Sequence, residues 1–167
     1  MPMLTGDALQ QAICQKLDAL QLEYRMIRHE AVFTMEQTAS LHIDGGTRPV
    51  KNLFLRDHKH RYYLVSMDGD KMLSSKALRK QIGVSSISFA TDEQLFEQTG
   101  LHSGAVSPLS LINDEQAAIT FILDAELRDD PLLAFHPGIN TATVFLTPDA
   151  LNTYLEDLHI QIRYFTL

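Results

Sequence analysis

A lysine and an asparagine stand side by side in the otherwise apolar stretch at positions 50–55. If this stretch is a strand, Lys51 and Asn52 point to opposite faces of a sheet unless a bulge intervenes, so at least one of them faces the interior or a cleft. A half-buried ammonium needs an anionic partner, which in a ligand site is a phosphate or the charge developing on an ester carbonyl. A lysine extending along a sheet edge into water gives the same pattern, so both interpretations stay open.

A glycine-containing loop at positions 103–108 is a second candidate. Glycine lets the backbone approach a ligand closely, and the N–H groups of such a loop can bind an oxyanion or a carbonyl. The candidate residues of this loop are Gly104, Ala105, Ser107 and Pro108, although ordinary loops have the same composition. Proline follows Ser107, which does not match the nucleophile motif of serine hydrolases, so we do not expect Ser107 to be a nucleophile.

A histidine in a tight turn before a predicted strand is the third candidate. His136 is followed by Pro137 and Gly138, and the turn ends with Asn140 and Thr141. These side chains supply hydrogen-bond donors and acceptors at a strand end, where binding residues are common. A histidine in a turn is also commonly structural, so this motif alone does not establish a site.

The other histidines give little support for a metal site. His58 and His60 are separated by one residue and could bind a metal from one strand face, with His102 as a third ligand, but no cysteine or His-x-x-x-His motif accompanies them. The sequence also lacks a P-loop, a dinucleotide-binding fingerprint and an EF-hand. We therefore expect neither a metal nor a cofactor.

Positive charge is concentrated in one third of the chain. The formal net charge is -7, yet nine of the 14 basic residues lie between Arg48 and Lys80. Only three acidic residues, Asp57, Asp68 and Asp70, accompany them there. This distribution predicts either a polyanion-binding face in an acidic protein or ordinary solvated strand and helix faces.

The length of 167 residues and the 45% hydrophobic content predict a single domain spanning 1–167. No segment resembles a signal peptide or a membrane span, so we expect a soluble cytoplasmic protein. The single cysteine, Cys14, excludes an intramolecular disulfide and is expected to be a buried thiol.

Helices and strands alternate along the chain. Helices are predicted from Thr5 or Asp7 to about Leu20, at 35–41, from Ser74 or Ser75 to 82, at 91–99 and from Thr147-Pro148 onwards, and residues 43–49 are a predicted loop. Strands are predicted at 22–26, 50–56, 61–66, 86–90, 117–124, 141–146 and 160–165. Several connections are as short as hairpins, which favours a mixed α/β fold with a largely antiparallel sheet and helices packed around it.

Taken together, the candidate segments resemble the YbaK-like family of aminoacyl-tRNA deacylases, which includes the editing domain of bacterial prolyl-tRNA synthetases and its free-standing relatives. The resemblance covers nearly the whole chain. Four motifs carry it, in family order: HEAVFT at 29–34, KNLFL at 51–55, GAVSP at 104–108 and FHPGIN at 135–140. The FLRD stretch at 54–57 and the Phe-His-Pro turn are most similar to the free-standing alanyl type.

This resemblance implies a curved, barrel-like sheet and hydrolysis of alanine or cysteine wrongly attached to tRNA(Pro). In that reaction Lys51, Gly104 and His136 would be catalytic, and the substrate-binding residues would be Asn52, Ala105, Ser107, Pro108, Asn140 and Thr141. The acceptor end of tRNA would contact Arg48, Arg56, Lys76, Arg79 and Lys80. Prolyl-tRNA synthetase would be a transient partner.

An activated ester requires mainly a placed water and a stabilised oxyanion, so no protein nucleophile is needed. We expect alanine to be the preferred amino acid, since a tight pocket excludes larger ones. Two other functions remain open: a non-catalytic module that binds aminoacyl-tRNA or a synthetase, and a metal-dependent hydrolase using His58, His60 and His102.

Overall fold

The described residues contain four α-helices, three of which begin at a residue whose side chain caps the helix. The computed structural model describes residues 2–31 and 47–167, so the predicted helix at 35–41 and most of the predicted loop at 43–49 lie outside the described residues. The helices are α1 (Gly6–Ala19), α2 (Ser75–Ile82), α3 (Asp92–Thr99) and α4 (Pro148–Asp157). No helix in the described ranges is long and apolar enough to span a membrane.

The predicted caps at Ser74, Thr91 and Thr147 are confirmed, whereas Thr5, which precedes α1, makes no side-chain cap hydrogen bond. The Ser74 side chain accepts a hydrogen bond from the Ala77 amide, and Thr91 forms a capping box with Gln94. The Thr147 side chain caps α4, whose first residue is proline. Gly83 ends α2 in the left-handed conformation with φ of 88°, which glycine adopts without steric cost.

In the described residues, eight strands form two sheets. The strands are β1 (Arg25–Arg28), β2 (Val50–Asp57), β3 (Tyr62–Asp68), β4 (Ile87–Phe89), β5 (Thr120–Asp124), β6 (Leu133–Phe135), β7 (Ala142–Leu146) and β8 (Ile162–Phe165). One sheet has the order β1-β7-β6 and is antiparallel. The other has the order β4-β2-β3-β5-β8, in which β5 is parallel to both β3 and β8.

The mixed α/β class is confirmed, but the expected barrel-like sheet is wrong. Within the described residues neither sheet closes on itself, and β4 and β8 are the two edges of the larger sheet. The chain leaves β3 and returns to it at β5 only after α2, β4 and α3, a long crossover that makes the pairing parallel. Short hairpins explain only the β2–β3 and β6–β7 pairs.

One face of each sheet contributes to the main core. Phe54 and Phe121 of the larger sheet lie in one buried cluster with Phe135 and Val144 of the smaller sheet and with helices α1 and α4. A second cluster lies on the other face of the larger sheet, where Leu78 of α2 packs with strand side chains. The larger sheet is therefore covered on both faces.

Three elements escaped the sequence prediction. β6 has only three residues, too few for an alternating pattern to be recognised. The other two are the 3-10 helices Pro108–Asn113 and Ala125–Asp129. The first continues directly from the glycine loop and fixes where that loop ends.

Candidate active site

Lys51 and Asn52 lie on opposite faces of β2, as their alternation predicts. Lys51 pairs with Met67 and Asn52 pairs with Ser66 in a continuous register without a bulge. The Asn52 side chain lies on the face of the larger sheet that carries Phe54 and the main core. The Lys51 side chain lies on the opposite face, which carries the second cluster. A ligand that contacts both side chains must reach them at an edge of the strand.

Such an edge exists at the beginning of β2. The edge strand β4 pairs only with Leu55, Arg56 and Asp57. Within the described residues, the first half of β2 therefore has a strand neighbour on one side only. Backbone and side chains of Lys51 and Asn52 border this open edge.

The Lys51 ammonium is half-buried and donates a hydrogen bond to the backbone carbonyl of Lys71. An ammonium has three N–H donors, so two have no partner among residues 2–31 and 47–167 and could bind a ligand. Lys71 in turn places its own ammonium 2.9 Å from Asp124 Oδ2 and 3.1 Å from Glu126 Oε2. Burial lowers the pKa of Lys71, but the hydrogen bonds and charges of these two carboxylates raise it overall.

Arg48 lies among carboxylates. Its guanidinium contacts Asp68 Oδ2 at 3.3 Å, Glu126 Oε2 at 3.3 Å and Asp130 Oδ1 at 3.1 Å. Burial lowers the pKa of Arg48 and the three negative charges raise it, with a net rise. The charge of Arg48 is thus matched within the protein, which weakens the sequence-based reason for assigning it to tRNA.

Asn52 is oriented by Ser66. The hydroxyl of the fully buried Ser66 donates to the Asn52 side-chain oxygen. The amide nitrogen of Asn52 has two donors with no partner in the part of the chain that the structure describes, and they can bind a carbonyl or hydroxyl oxygen.

The glycine loop is held from both ends. Gly104 has φ of 90°, and the Ala105 amide donates to the His102 carbonyl at 3.2 Å, which closes a turn around the glycine. The Ser103 hydroxyl donates to Asp92 at the start of α3. Gly104 is half-buried, so part of its backbone is available to a ligand.

The second half of the loop is buried. The Ser107 hydroxyl accepts from the Leu109 amide at 3.2 Å, and the Ser107 carbonyl accepts from Ser110 Oγ at 2.6 Å. Ala105 and Pro108 are buried too. These three predicted binding residues shape the loop in this structure rather than present free side-chain polar groups.

His136 has a defined tautomer. Its Nδ1 lies 2.9 Å from the Ala142 carbonyl, which can only accept, so Nδ1 carries the proton and Nε2 carries a lone pair. Burial lowers the pKa of His136, the hydrogen bond to Ala142 opposes this, and the nearby His29 lowers it further. The net lowering favours a neutral ring.

The turn that carries His136 is pressed against helix α1. Gly138 has φ of 84°, and a Cβ atom at this position would lie 2.6 Å from Leu9 Cγ. Asn140 is half-buried and Thr141 is exposed. A glycine is required here both for its backbone angle and for the close approach of the helix.

His29 is a neighbour that the sequence did not reveal as a site residue. Its ring centroid is 6.1 Å from that of His136, and its Nε2 lies 2.8 Å from Thr143 Oγ1. Its Nδ1 lies 2.7 Å from the Glu30 carbonyl, so a neutral His29 accepts from the Thr143 hydroxyl. His29 belongs to the HEAVFT motif, but only the β1–β7 pairing brings it to His136.

The three candidate segments have separate local networks. Within the described part of the chain, no hydrogen bond or ion pair joins Lys51, the Gly104 turn and His136. β2 contacts β6, which leads directly into His136. The sheets therefore bring the first and third segments into one region.

The remaining predicted cations lie on α2 and β2. Lys76 and Lys80 are exposed and form no ion pair with a described residue. Arg79 donates to the Ser75 carbonyl at 3.4 Å and the Ser85 carbonyl at 2.9 Å, which leaves its charge unneutralised. Arg56 is half-buried and lies 3.5 Å from His60 Nδ1.

The three histidines considered as metal ligands are not gathered in one place. His58 Nδ1 lies 3.2 Å from Ser85 Oγ, and His102 stacks on Phe96 with ring centroids 4.8 Å apart. The described residues contain no group of three or more histidine, cysteine, aspartate or glutamate side chains that could hold a metal ion.

Comparisons with known proteins identify relatives over most of the chain. Residues 29–154 match the family model of the aminoacyl-tRNA editing domain. The chain is 40% identical over 142 residues to the prolyl-tRNA editing protein ProX of Acetoanaerobium sticklandii, covering 84% of this chain and 87% of that protein. It is 32% identical over 161 residues to prolyl-tRNA synthetase associated domain-containing protein 1 of Bos taurus, covering 92% of each.

A solved structure has the same fold. The crystal structure of a candidate trans-editing enzyme for prolyl tRNA synthetase superimposes with a TM-score of 0.69, covering 93% of this chain and 95% of that one. The two sequences are 20% identical, so this likeness concerns the fold alone.

Proposed function

This chain belongs to the aminoacyl-tRNA editing domain family, and from that premise we propose that it hydrolyses the ester of tRNA(Pro) mischarged with alanine. Water adds to the ester carbonyl carbon, the bond to the terminal ribose oxygen breaks, and that oxygen takes up a proton. The products are free alanine and uncharged tRNA(Pro). The observation that carries the proposal within the site is the half-buried Lys51, whose ammonium has two donors without a partner among the described residues, beside an open strand edge.

Lys51 stabilises negative charge in this proposal. Its two free donors bind the terminal phosphate or the oxyanion that develops on the ester carbonyl, and charge stabilisation of that kind lowers the barrier directly. The Gly104 turn frames the aminoacyl group through its backbone. Together they hold the carbonyl while water attacks.

Asn52 and His136 fix the amino acid or the terminal ribose. The Asn52 amide offers donors, and Nε2 of neutral His136 offers an acceptor for a ribose hydroxyl or the aminoacyl ammonium. Asn140 and Thr141, in the same turn, are further contacts. The neighbouring hydroxyl of the substrate ribose assists proton transfer.

The packing of the loop supports alanine as the amino acid of this proposal. Ala105, Ser107 and Pro108 are buried, and such a filled loop leaves room for a small side chain only. Cysteine is the competing amino acid because it is also small. The tRNA acceptor end contacts Arg56, Lys76, Arg79 and Lys80, and prolyl-tRNA synthetase is a transient partner in the cytoplasm.

The direct test is a deacylation assay with Ala-tRNA(Pro) and Cys-tRNA(Pro). We expect the wild type to hydrolyse the alanyl ester faster, and Lys51→Ala to lose roughly 100-fold or more in kcat, as removal of an oxyanion donor does. Lys16→Ala is the matched control, because Lys16 pairs with Asp157 on the protein surface instead. Failure of the wild type to hydrolyse either ester would overturn the proposal, and faster hydrolysis of the cysteinyl ester would reassign the substrate.

The pH profile tests the role of His136. Because burial lowers its pKa, we expect kcat/KM to be level above pH ~6.5, the ordinary value, and to fall only at lower pH. The free energy of unfolding has the same sign: the unfolded chain takes up the proton first, so stability is lost as the pH drops below ~6.5. An acidic limb that persists unchanged in His136→Asn would contradict this role.

A further inference from the structure

The position of the Lys51 ammonium depends on a peptide carbonyl, that of Lys71. This carbonyl lies just after a turn that follows β3. The turn itself is held by the Lys71 amide, which donates to the Asp68 carbonyl at 3.1 Å, and by the Gly69 amide, which donates to the Pro49 carbonyl at 2.7 Å. Met72, the next residue, is 91% exposed and packs against little.

The Lys71 side chain anchors this carbonyl to the sheet. Its ammonium lies 2.9 Å from Oδ2 of Asp124, which is fully buried at the end of the interior strand β5. The other oxygen of Asp124 accepts from the Glu126 amide at 3.3 Å, and its backbone is paired with Phe165. Asp124 is therefore a fixed point of the fold.

The register explains why Lys71 reaches both groups. Lys51 pairs with Met67 across β2 and β3, and the β3–β5 register ends at Ser66 and Leu123, one residue before Met67 and Asp124. A row across three strands therefore contains Lys51, Met67 and Asp124, all on one face of the sheet. Two strand spacings separate Lys51 from Asp124, which is about 10 Å. Lys71 spans this row, with its carbonyl at Lys51 and its ammonium at Asp124.

We propose that the ion pair of Lys71 with Asp124 positions Lys51 for catalysis. This inference rests on the proposed function for its catalytic consequence, but its structural part does not. Lys71 and Asp124 act through Lys51 and are positioning residues. If the pair is broken, the carbonyl keeps the backbone hydrogen bonds of its turn but loses its anchor on β5, so the Lys51 ammonium is held less firmly.

The structural part is tested by chemical labelling of lysines with an amine-reactive acyl reagent, followed by mass spectrometry. In Lys71→Met and Asp124→Asn we expect Lys51 to be labelled several-fold faster than in the wild type, and in Lys71→Arg at nearly the wild-type rate. Lys16 and Lys80 report on the fold, since neither contacts this network, and their labelling should not change. Unchanged labelling of Lys51 in both Lys71→Met and Asp124→Asn would overturn the proposal.

The catalytic part is tested by a double-mutant cycle with Ala-tRNA(Pro). Lys71→Met should lower kcat roughly 10- to 100-fold, as misplacement of a reacting group does, with a KM change below about threefold, and Lys71→Arg should restore most of the loss. In a Lys51→Ala background, Lys71→Met should have no further effect. An equal loss in both backgrounds would overturn the positioning role. Absence of wild-type activity would refute the proposed function and leave the labelling result to decide this inference.

Discussion

Two groups of basic residues that adjoin in the sequence have opposite surroundings in the fold. Arg48 and Lys71 lie among carboxylates, whereas Lys76 and Lys80 on α2 form no ion pair with a described residue. Most of the neutralising carboxylates come from positions 124–130, far outside the basic segment. A local count of charges therefore overstates how much positive charge is available to a polyanion.

This difference in surroundings separates cations that stabilise the fold from cations that are proposed to bind tRNA. Asp124 is fully buried, so its attraction to Lys71 is weakly screened, and loss of one partner leaves an uncompensated charge. Exposed cations on α2 are screened by salt and contribute little to stability. They keep their full charge for an incoming phosphate.

The largest expected effect is a difference in the free energy of unfolding between two lysine-to-glutamate variants, one from each group. Lys71→Glu adds a carboxylate beside Asp124 and Glu126, and we expect it to lower the free energy of unfolding by about 3 kcal/mol or more. Lys80→Glu should change it by no more than ~0.5 kcal/mol. Urea denaturation of the two variants measures both values, and equal losses would abolish the distinction.

A smaller effect is expected on tRNA binding. Lys76→Glu combined with Lys80→Glu should raise KM for Ala-tRNA(Pro) about tenfold without changing kcat, because two phosphate contacts are lost. The slope of log KM plotted against the logarithm of the salt concentration should decrease by roughly one to two. A KM within twofold of wild type would show that α2 does not contact the tRNA.

The smallest effect on binding is expected for Arg48. Because three carboxylates already surround it, Arg48→Gln should change KM for Ala-tRNA(Pro) less than about twofold while lowering the free energy of unfolding by about 1 kcal/mol. Parallel kinetic and denaturation measurements test this. A tenfold rise in KM with unchanged stability would place Arg48 with the α2 cations.

The sequence predicts features that depend on neighbouring residues. The caps at Ser74, Thr91 and Thr147 and the left-handed Gly83 were correct because each involves groups within a few positions of one another. The opposite orientation of Lys51 and Asn52 was also correct, since strand alternation is local.

Features that join distant segments were missed. The ion pair of Lys71 with Asp124 bridges 53 positions, and the contact of His29 with Thr143 bridges 114. The parallel pairing of β3 with β5, which is set by a long crossover, was also missed. A single sequence contains no local signal for any of these.

The parallel pairing of β3 with β5 has a consequence for the order of folding. Lys51 lies in the β2–β3 hairpin, which can form from contiguous residues, but Asp124 arrives only when the crossover closes. Long-range pairings of this kind form slowly. We therefore expect a chain emerging from the ribosome to form the β2–β3 hairpin early, and the Lys51 ammonium to reach its final position only later. Activity should then appear only when β5 has joined the larger sheet.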